Sequence, residues 1–156
     1  MKFAHLSDCH LGGWREPKLK ELGLISFSKA IEECVKKQVD FILISGDLFD
    51  TPLPQIEVIK AVAEILCSIK KFGIRVYIIP GSHDFSASGK TMISVFEKAG
   101  IVKNVMKINS NILDTTTDQS GAKLTGVFGR IGGLEIEDYK KIDFTNVTKE
   151  KGFKIF

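Results

Sequence analysis

Alternation of apolar runs with stretches of helical period predicts an α/β domain with a mainly parallel central sheet flanked by helices. Three observations carry the prediction. Phe3-Ala4-His5-Leu6, Phe41-Ile42-Leu43-Ile44 and Arg75-Val76-Tyr77-Ile78-Ile79 are short, apolar and without strict alternation, the pattern of strands buried on both faces. Each runs into a polar turn: Ser7-Asp8-Cys9-His10, Ser45-Gly46-Asp47 and Pro80-Gly81-Ser82-His83-Asp84. Between them, Phe27, Ala30, Ile31, Cys34 and Val35 line one face of a helix, and a second helix runs from about residue 54 to 72 before Gly73.

A third helix, from about residue 90 to 99, stops at Gly100, which tolerates the left-handed backbone of a helix end. Beyond residue 108 the chain turns polar. Residues 109–123, with Thr115-Thr116-Thr117 and Ser120-Gly121, read as a hairpin or surface excursion. A strand is expected over residues 124–128, a short helical stretch from Gly132-Gly133 to Lys141, and the start of a strand at Gly152-Phe153-Lys154-Ile155-Phe156.

Composition narrows the functional classes. With 44% hydrophobic residues in 156, the chain can bury a core, so a disordered protein is excluded. Apolar runs fall short of the roughly 18 residues that cross a bilayer, and the stretch from Met1 to Asp8 reaches a charged residue too soon for the apolar region of a secretory leader. A soluble cytoplasmic domain is expected. The formal charge of +3 tolerates a polyanionic partner without demanding one. Basic pairs such as Lys36-Lys37 and Lys70-Lys71 mostly follow helices, where they also complement the macrodipole. Cys9, Cys34 and Cys67 lack Cys-x-x-Cys spacing, so no disulfide framework or zinc knuckle is indicated; Cys34 and Cys67 read as reduced core thiols.

The chemistry lies in the turns. Ligands of parallel α/β sheets gather beyond the carboxyl ends of the strands, where this chain places Asp8 and His10, Asp47, and Ser82, His83 and Asp84. Separations of 39 residues from Asp8 to Asp47 and 36 from Asp47 to His83 each suit one strand–helix crossover. Carboxylates with imidazole and no thiolate suit Mn²⁺, Fe²⁺ or Zn²⁺. Two such cations about 3.5–4 Å apart, sharing a carboxylate, activate water and clamp a phosphoester. Gly46 and Gly81 allow close backbone approach. The plainer reading of Asp8, His10, Asp47 and His83, as turn residues and helix caps, loses ground because they recur together at strand ends. His5, inside its strand, reads as a satisfied core histidine. Glu135, Glu137, Asp138 and Asp143 read as a solvated surface.

Asp8-Cys9-His10, Gly46-Asp47-Leu48-Phe49-Asp50 and Gly81-Ser82-His83-Asp84 resemble the first three motifs of the calcineurin-like metallophosphoesterases, Asp-x-His, Gly-Asp-x-x-Asp and Gly-Asn-His-(Asp/Glu). Within that family, His5-Leu6-Ser7-Asp8-Cys9-His10-Leu11-Gly12 and Gly46 to Asp50 look most like the SbcD/Mre-type DNA-repair nucleases. The resemblance is good over residues 1–100 and looser beyond. It implies a metallophosphoesterase-like layered fold in which Asp8 and His10 hold a first metal and Asp47 bridges to a second. His83 acts on the scissile phosphate or leaving oxygen, Asp84 orients His83, and Asp50 is a supporting residue. It further implies two Mn²⁺ ions in the complete enzyme, DNA as substrate, exonuclease and single-strand endonuclease action in double-strand-break repair, an SMC-like ABC ATPase partner, a homodimer and nucleoid association.

Two departures qualify the resemblance. Ser82 replaces the family's Asn ligand, a shorter and weaker neutral donor. The family completes its site with three further histidines, whereas this chain has only His5, His10 and His83. The expectation is therefore an amino-terminal portion, residues 1–156, of a longer nuclease, holding one ion or none and weakly active or inactive by itself. A naturally shortened homologue is the less favoured alternative. The rival functions are another phosphoesterase acting on nucleotides or phosphoproteins, and a non-catalytic dimerisation or ATPase-docking scaffold. For dimerisation, the helix at 54–72 offers one stripe of Ile59, Val62, Leu66 and Ile69 for the sheet. A second stripe, Val58, Ala61, Ile65 and Phe72, is left for a partner or for the neighbouring helix carrying Met92, Ile93, Val95 and Phe96.

Overall fold

The computed structural model describes residues 1–84, 86, 91–129 and 135–156. Strand β1 (Phe3–Leu6) is followed by α1 (Pro17–Lys36), β2 (Phe41–Ser45), α2 (Ile56–Ser68), a 3₁₀ turn at Lys70–Phe72, β3 (Arg75–Ile79), α3 (Met92–Lys98) and β4 (Lys103–Asn104). The four strands form one parallel sheet in the order β1-β2-β3-β4. Pro17 opens α1, where its missing N–H costs nothing. Gly73, at φ 72°, ends the 3₁₀ turn in the left-handed region. Thr91 caps α3, its Oγ1 accepting from Ser94 N at 3.3 Å, so that helix starts at Met92 rather than near residue 90. Lys90 itself lies outside the described residues.

The absence of alternation in β2 has a direct cause. Ile42 and Ile44 face α1 and α2 in a core that includes Phe27, Ile31, Val62 and Leu66, while Phe41 and Leu43 face a second core with Tyr77, Val105, Ala122 and Leu124. Helices α1 to α3 cover the first face. The second meets a three-stranded sheet of β7 (Thr116–Thr117), β8 (Lys123–Leu124) and β9 (Lys154–Ile155), so a sheet rather than helices forms the layer there. Arg75 pins the layers together: its Nε and Nη2 donate to Asp118 at 2.7 and 3.1 Å, and Tyr77 Oη donates to the same carboxylate at 2.6 Å. Burial by itself would raise the Asp118 pKa, but hydrogen bonds from Arg75, Ser120 and Tyr77 outweigh it and hold the carboxyl below the usual carboxylate range.

Within residues 109–123 the chain makes two tight pairings. β5 (Ile108–Asn109) and β6 (Ile112–Leu113) are antiparallel around Ser110 and Asn111, both at positive φ as a two-residue hairpin turn requires. β7 and β8 form the second. The strand expected over 124–128 ends at Leu124, with Thr125 N still donating to Ile155 O at 3.0 Å; beyond it Gly126 packs closely on Ile79, where a Cβ would come within 2.4 Å of Cγ2. Two short helices complete the order, α4 (Glu135–Tyr139) and α5 (Thr145–Lys149). Gly132 and Gly133 lie outside the described residues.

Four expectations need correction. β1 is only half-buried, on the side of Ala4 and Leu6, and Phe3 and His5 are exposed on the other. His5 is therefore not a core histidine. It lines an apolar cleft of about 480 Å³ with Leu43, Tyr77 and Phe156, and its Nε2 pairs with Ser45 Oγ at 2.9 Å. Cys67 is exposed, because the buried stripe of α2 runs through Val58, Val62 and Leu66. Val58 thus belongs to the core, against Gly12, and cannot serve a dimer interface; Ala61 and Ile65 are half-buried and Phe72 is exposed.

Candidate metal centre

Three strand ends build the site. Beyond β1, the backbone hooks over the turn after β2: Asp8 N donates to Gly46 O at 3.3 Å, His10 N to Asp47 O at 2.9 Å and Leu11 N to Leu48 O at 3.0 Å. These bonds hold Asp8, His10 and Asp47 at φ 52°, 43° and 49°, in the left-handed region that side chains other than glycine rarely adopt. Each such residue costs of order 1–3 kcal/mol and persists where surrounding structure enforces it. Among the described residues six non-glycine positions have positive φ; these three are ones the sequence singles out as ligands, and Gln38, Ser110 and Asn111 lie in turns elsewhere.

The side chains converge. Asp8, His10 and Asp47 each offer a ligand atom, and these atoms lie within 4.8 Å of one another. His10 Nε2 is 3.9 Å from Asp47 Oδ2. Two carboxylates and an imidazole in that space form an oxygen-rich set matched to a hard or borderline divalent cation, which also relieves the repulsion between the carboxylates. The residues therefore fit a metal. Asp47 is further fixed by His83 N, which donates to Oδ1 at 2.8 Å, and by Ser82 Oγ, 3.4 Å from Oδ2. Gly81 is required here because a Cβ would lie 2.3 Å from Asp47 Oδ1 and 2.4 Å from its N. Cys9, between the two ligands, is half-buried; burial first, then the charges of Asp8 and Asp84, push its thiol up to about 11, so it stays neutral.

Asp50 has the supporting role expected of it, and it, rather than Asp84, pairs with the imidazoles. Among the described residues, Asp84 is buried and accepts from Leu48 N at 3.2 Å, Phe49 N at 3.1 Å and Gly81 N at 3.1 Å. It ties the second turn to the third and is not His83's orienting carboxylate. Burial pushes its pKa above the ordinary carboxylate value despite those donors. Asp50 holds the imidazoles instead. Its Oδ1 accepts from His10 Nδ1 at 3.0 Å, its carbonyl accepts from His83 Nδ1 at 2.9 Å, and the His83 Nδ1–Oδ1 distance is 3.5 Å. Both acceptors demand a proton on Nδ1, so each neutral ring keeps its lone pair on Nε2. For His10 that nitrogen faces Asp47. The bond to the Asp50 carbonyl raises the His83 pKa above the ordinary histidine value. The two rings meet edge to face, with centroids 4.6 Å apart.

Two supporting features escape sequence reasoning. Gly13 packs against Asp50, where a Cβ would come within 2.7 Å of Cγ. Gly129 lies beside the third turn, its N donating to Pro80 O at 3.3 Å. Neither carries a motif, although a glycine pair at 12–13, one residue past the candidate ligand His10, is a signal of close packing.

Comparison with known proteins resolves the family. The calcineurin-like phosphoesterase model matches residues 1–156, the whole chain. The chain belongs to the calcineurin-like phosphoesterase family. Among curated relatives, it is 32% identical over 157 residues to the DNA double-strand break repair protein Mre11 of Methanococcus maripaludis, covering 97% of this chain and 39% of that protein. It is 34% identical over 113 residues to Mre11 of Archaeoglobus fulgidus, covering 71% and 25%. It is also 26% identical over 139 residues to the uncharacterized metallophosphoesterase YhaO of Bacillus subtilis, covering 83% and 33%. The chain thus spans 39% or less of the length of these relatives. The phosphoesterase layers agree with the parallel α/β architecture read from the sequence, and no described helix is long and apolar enough to cross a membrane.

Proposed function

We propose that this phosphoesterase chain carries the first metal site of a DNA nuclease acting in double-strand-break repair. The observation that supports the reading best is the convergence of Asp8, His10 and Asp47 at the carboxyl ends of parallel strands. Asp8, His10 and Asp47 would hold a divalent cation, taken to be Mn²⁺, and that cation supplies Lewis acidity to a phosphoester and a water nucleophile at neutral pH. The chain's own residues supply the rest. Asp50 keeps the His10 lone pair on Nε2, directed at Asp47. His83, anchored through Nδ1, leaves Nε2 to accept or deliver a proton at a leaving oxygen, and its raised pKa favours the protonated, acid form. Asp84 locks the second and third turns in register. Ser82 Oγ lies 3.4 Å from Asp47 Oδ2 and would be a weak neutral donor to a second cation.

DNA as substrate, exonuclease and single-strand endonuclease action, nucleoid association and an SMC-like ATPase partner follow from the likeness to the Mre11 proteins. A homodimer through Ala61 and Ile65 on α2 and Phe72 in the 3₁₀ turn after it belongs to the same reading; Phe72 is exposed and Ala61 and Ile65 are half-buried. The test is incubation of the chain and its Asp47→Asn variant with Mn²⁺, end-labelled duplex and single-stranded DNA, and bis-p-nitrophenyl phosphate. Slow Mn²⁺-dependent DNA cleavage, lost in Asp47→Asn, is expected. Hydrolysis of the small diester with DNA left intact would overturn the DNA reading, and inertness towards both together with failure to bind Mn²⁺ would favour the scaffold.

A further inference from the structure

His10 faces two ways. Its Nε2 looks towards Asp47, but His10, Asp50 and His83 form a second group, with one ligand atom from each within 4.8 Å of the others, in which the two Nδ1 atoms lie 3.0 and 3.5 Å from Asp50 Oδ1. We propose that His10, Asp50 and His83 form a separate, nitrogen-rich Zn²⁺ site that excludes a cation from the Asp8–His10–Asp47 site. The exclusion rests on the metal reading above; the Zn²⁺ site itself does not.

The distances match the ion. Zn²⁺ bonds to imidazole nitrogen and carboxylate oxygen at about 2.0–2.1 Å in tetrahedral sites, so neighbouring ligand atoms stand about 3.4 Å apart. Asp50 Oδ1 is 3.0 Å from His10 Nδ1 and 3.5 Å from His83 Nδ1, which bracket that edge. Three protein ligands leave a fourth position for water, as open zinc sites do. The edge-to-face arrangement of the rings puts two nitrogens beside one carboxylate oxygen without stacking them. The group is half-exposed, with side-chain exposures of 35%, 33% and 41% for His10, Asp50 and His83, so an ion has an entry path. Two imidazoles and one carboxylate bind Zn²⁺ more strongly than Mn²⁺, whereas the two carboxylates of the other set are the better match for Mn²⁺.

Exclusion follows from proton count. A neutral imidazole has one lone pair. When His10 ligates through Nδ1, its proton moves to Nε2, where it points at Asp47 Oδ2 as a donor and is lost to the other site. His83 makes the same tautomer switch and gives up its bond to the Asp50 carbonyl. No net proton is taken up or released by either ring. Zn²⁺ in this place removes a ligand and the candidate proton donor at once, which makes the cluster a zinc brake on the phosphoesterase centre.

The test uses the chain with Asp8→Asn and Asp47→Asn combined, which removes the competing carboxylates and preserves side-chain size. Zn²⁺ is titrated by calorimetry, and the ring nitrogens are followed by long-range ¹⁵N NMR. One equivalent of Zn²⁺ should still bind, with the Nδ1 resonances of His10 and His83 both shifting. Adding His83→Gln or Asp50→Asn should weaken binding by more than about tenfold, the lower bound even for losing a ligand's outer partner. His83 is exposed enough for its Gln variant to fold, and circular dichroism checks each protein. Loss of Zn²⁺ binding in the Asp8/Asp47 double variant, or binding indifferent to both added substitutions, would overturn the proposal. Neither result bears on DNA cleavage by the unsubstituted chain, so the two readings fail separately.

Discussion

Replacing Gly81 by Ala introduces one methyl group at the point where the second and third turns touch. Its Cβ would sit 2.3 Å from Asp47 Oδ1, 2.4 Å from Asp47 N and 2.7 Å from Asp47 Cγ. A carboxylate tip can swing aside; a backbone nitrogen whose residue is held at φ 49° by the His10 N to Asp47 O bond cannot. Heavy atoms prefer about 3.5 Å or more, so the turns must part by about 1 Å. Overpacking of this kind costs about 1–3 kcal/mol, which at roughly 2–4 °C per kcal/mol for a chain of this size lowers Tm by about 2–12 °C. The displacement exceeds the roughly 0.5 Å within which a site keeps its geometry, so Mn²⁺ affinity should fall at least about tenfold. Gly23→Ala is the control. Gly23 lies inside α1 with nothing within 4 Å of its would-be Cβ, and the change should stabilise by about 0.4–1 kcal/mol. Calorimetry gives Tm, and electron paramagnetic resonance of free Mn²⁺ gives affinity. A Gly81→Ala protein with unchanged Tm and affinity would refute the contact argument.

The other predictions concern separate parts of the molecule. Asp50→Ala frees the tautomers of His10 and His83, and Mn²⁺ affinity should drop about 10–100-fold with little loss of fold, as titration against the parent chain will tell. Ser82→Asn lengthens the neutral donor beside Asp47 and should tighten a second Mn²⁺ equivalent; equal occupancy in both proteins would count against a ligand position there. Asp118 has its pKa lowered in the fold, so it contributes stability above the ordinary carboxylate pKa of 3.8 and loses it as pH falls through the depressed value. Asp118→Asn should therefore flatten the acid limb of the unfolding curve below about pH 4 and, by weakening the bonds to the partly exposed Arg75, destabilise at neutral pH by about 1.5–3 kcal/mol. Ile65→Lys should convert a dimer into a folded monomer on size-exclusion chromatography, and an unchanged elution volume would remove α2 as the interface.

What sequence could and could not reveal follows physical lines. The parallel strands were legible because β2 and β3 are buried on both faces and so lack alternation, and the ligand turns because short polar motifs interrupt these runs. β1 misled because its tetrapeptide has the same spelling while one side lies open at Phe3 and His5. That Asp50, rather than Asp84, pairs with the imidazoles was hidden for a different reason. Both are acids next to motif residues, and only the third dimension shows that Asp84 points back to the amides of Leu48 and Phe49 while Asp50 reaches both rings. Val58 was misassigned because consecutive apolar residues on α2 give two stripes of equal quality, and the close approach of Gly12 decides which is inside. The Arg75–Asp118 pair joins residues 43 apart across two sheets, a contact no local pattern encodes.

Anomalous diffraction from Mn²⁺-soaked crystals tests the central claim most directly. The account predicts a manganese peak within bonding distance of Asp8, His10 and Asp47 together. Density confined to other surfaces, or no peak among these three side chains at saturating Mn²⁺, would contradict it.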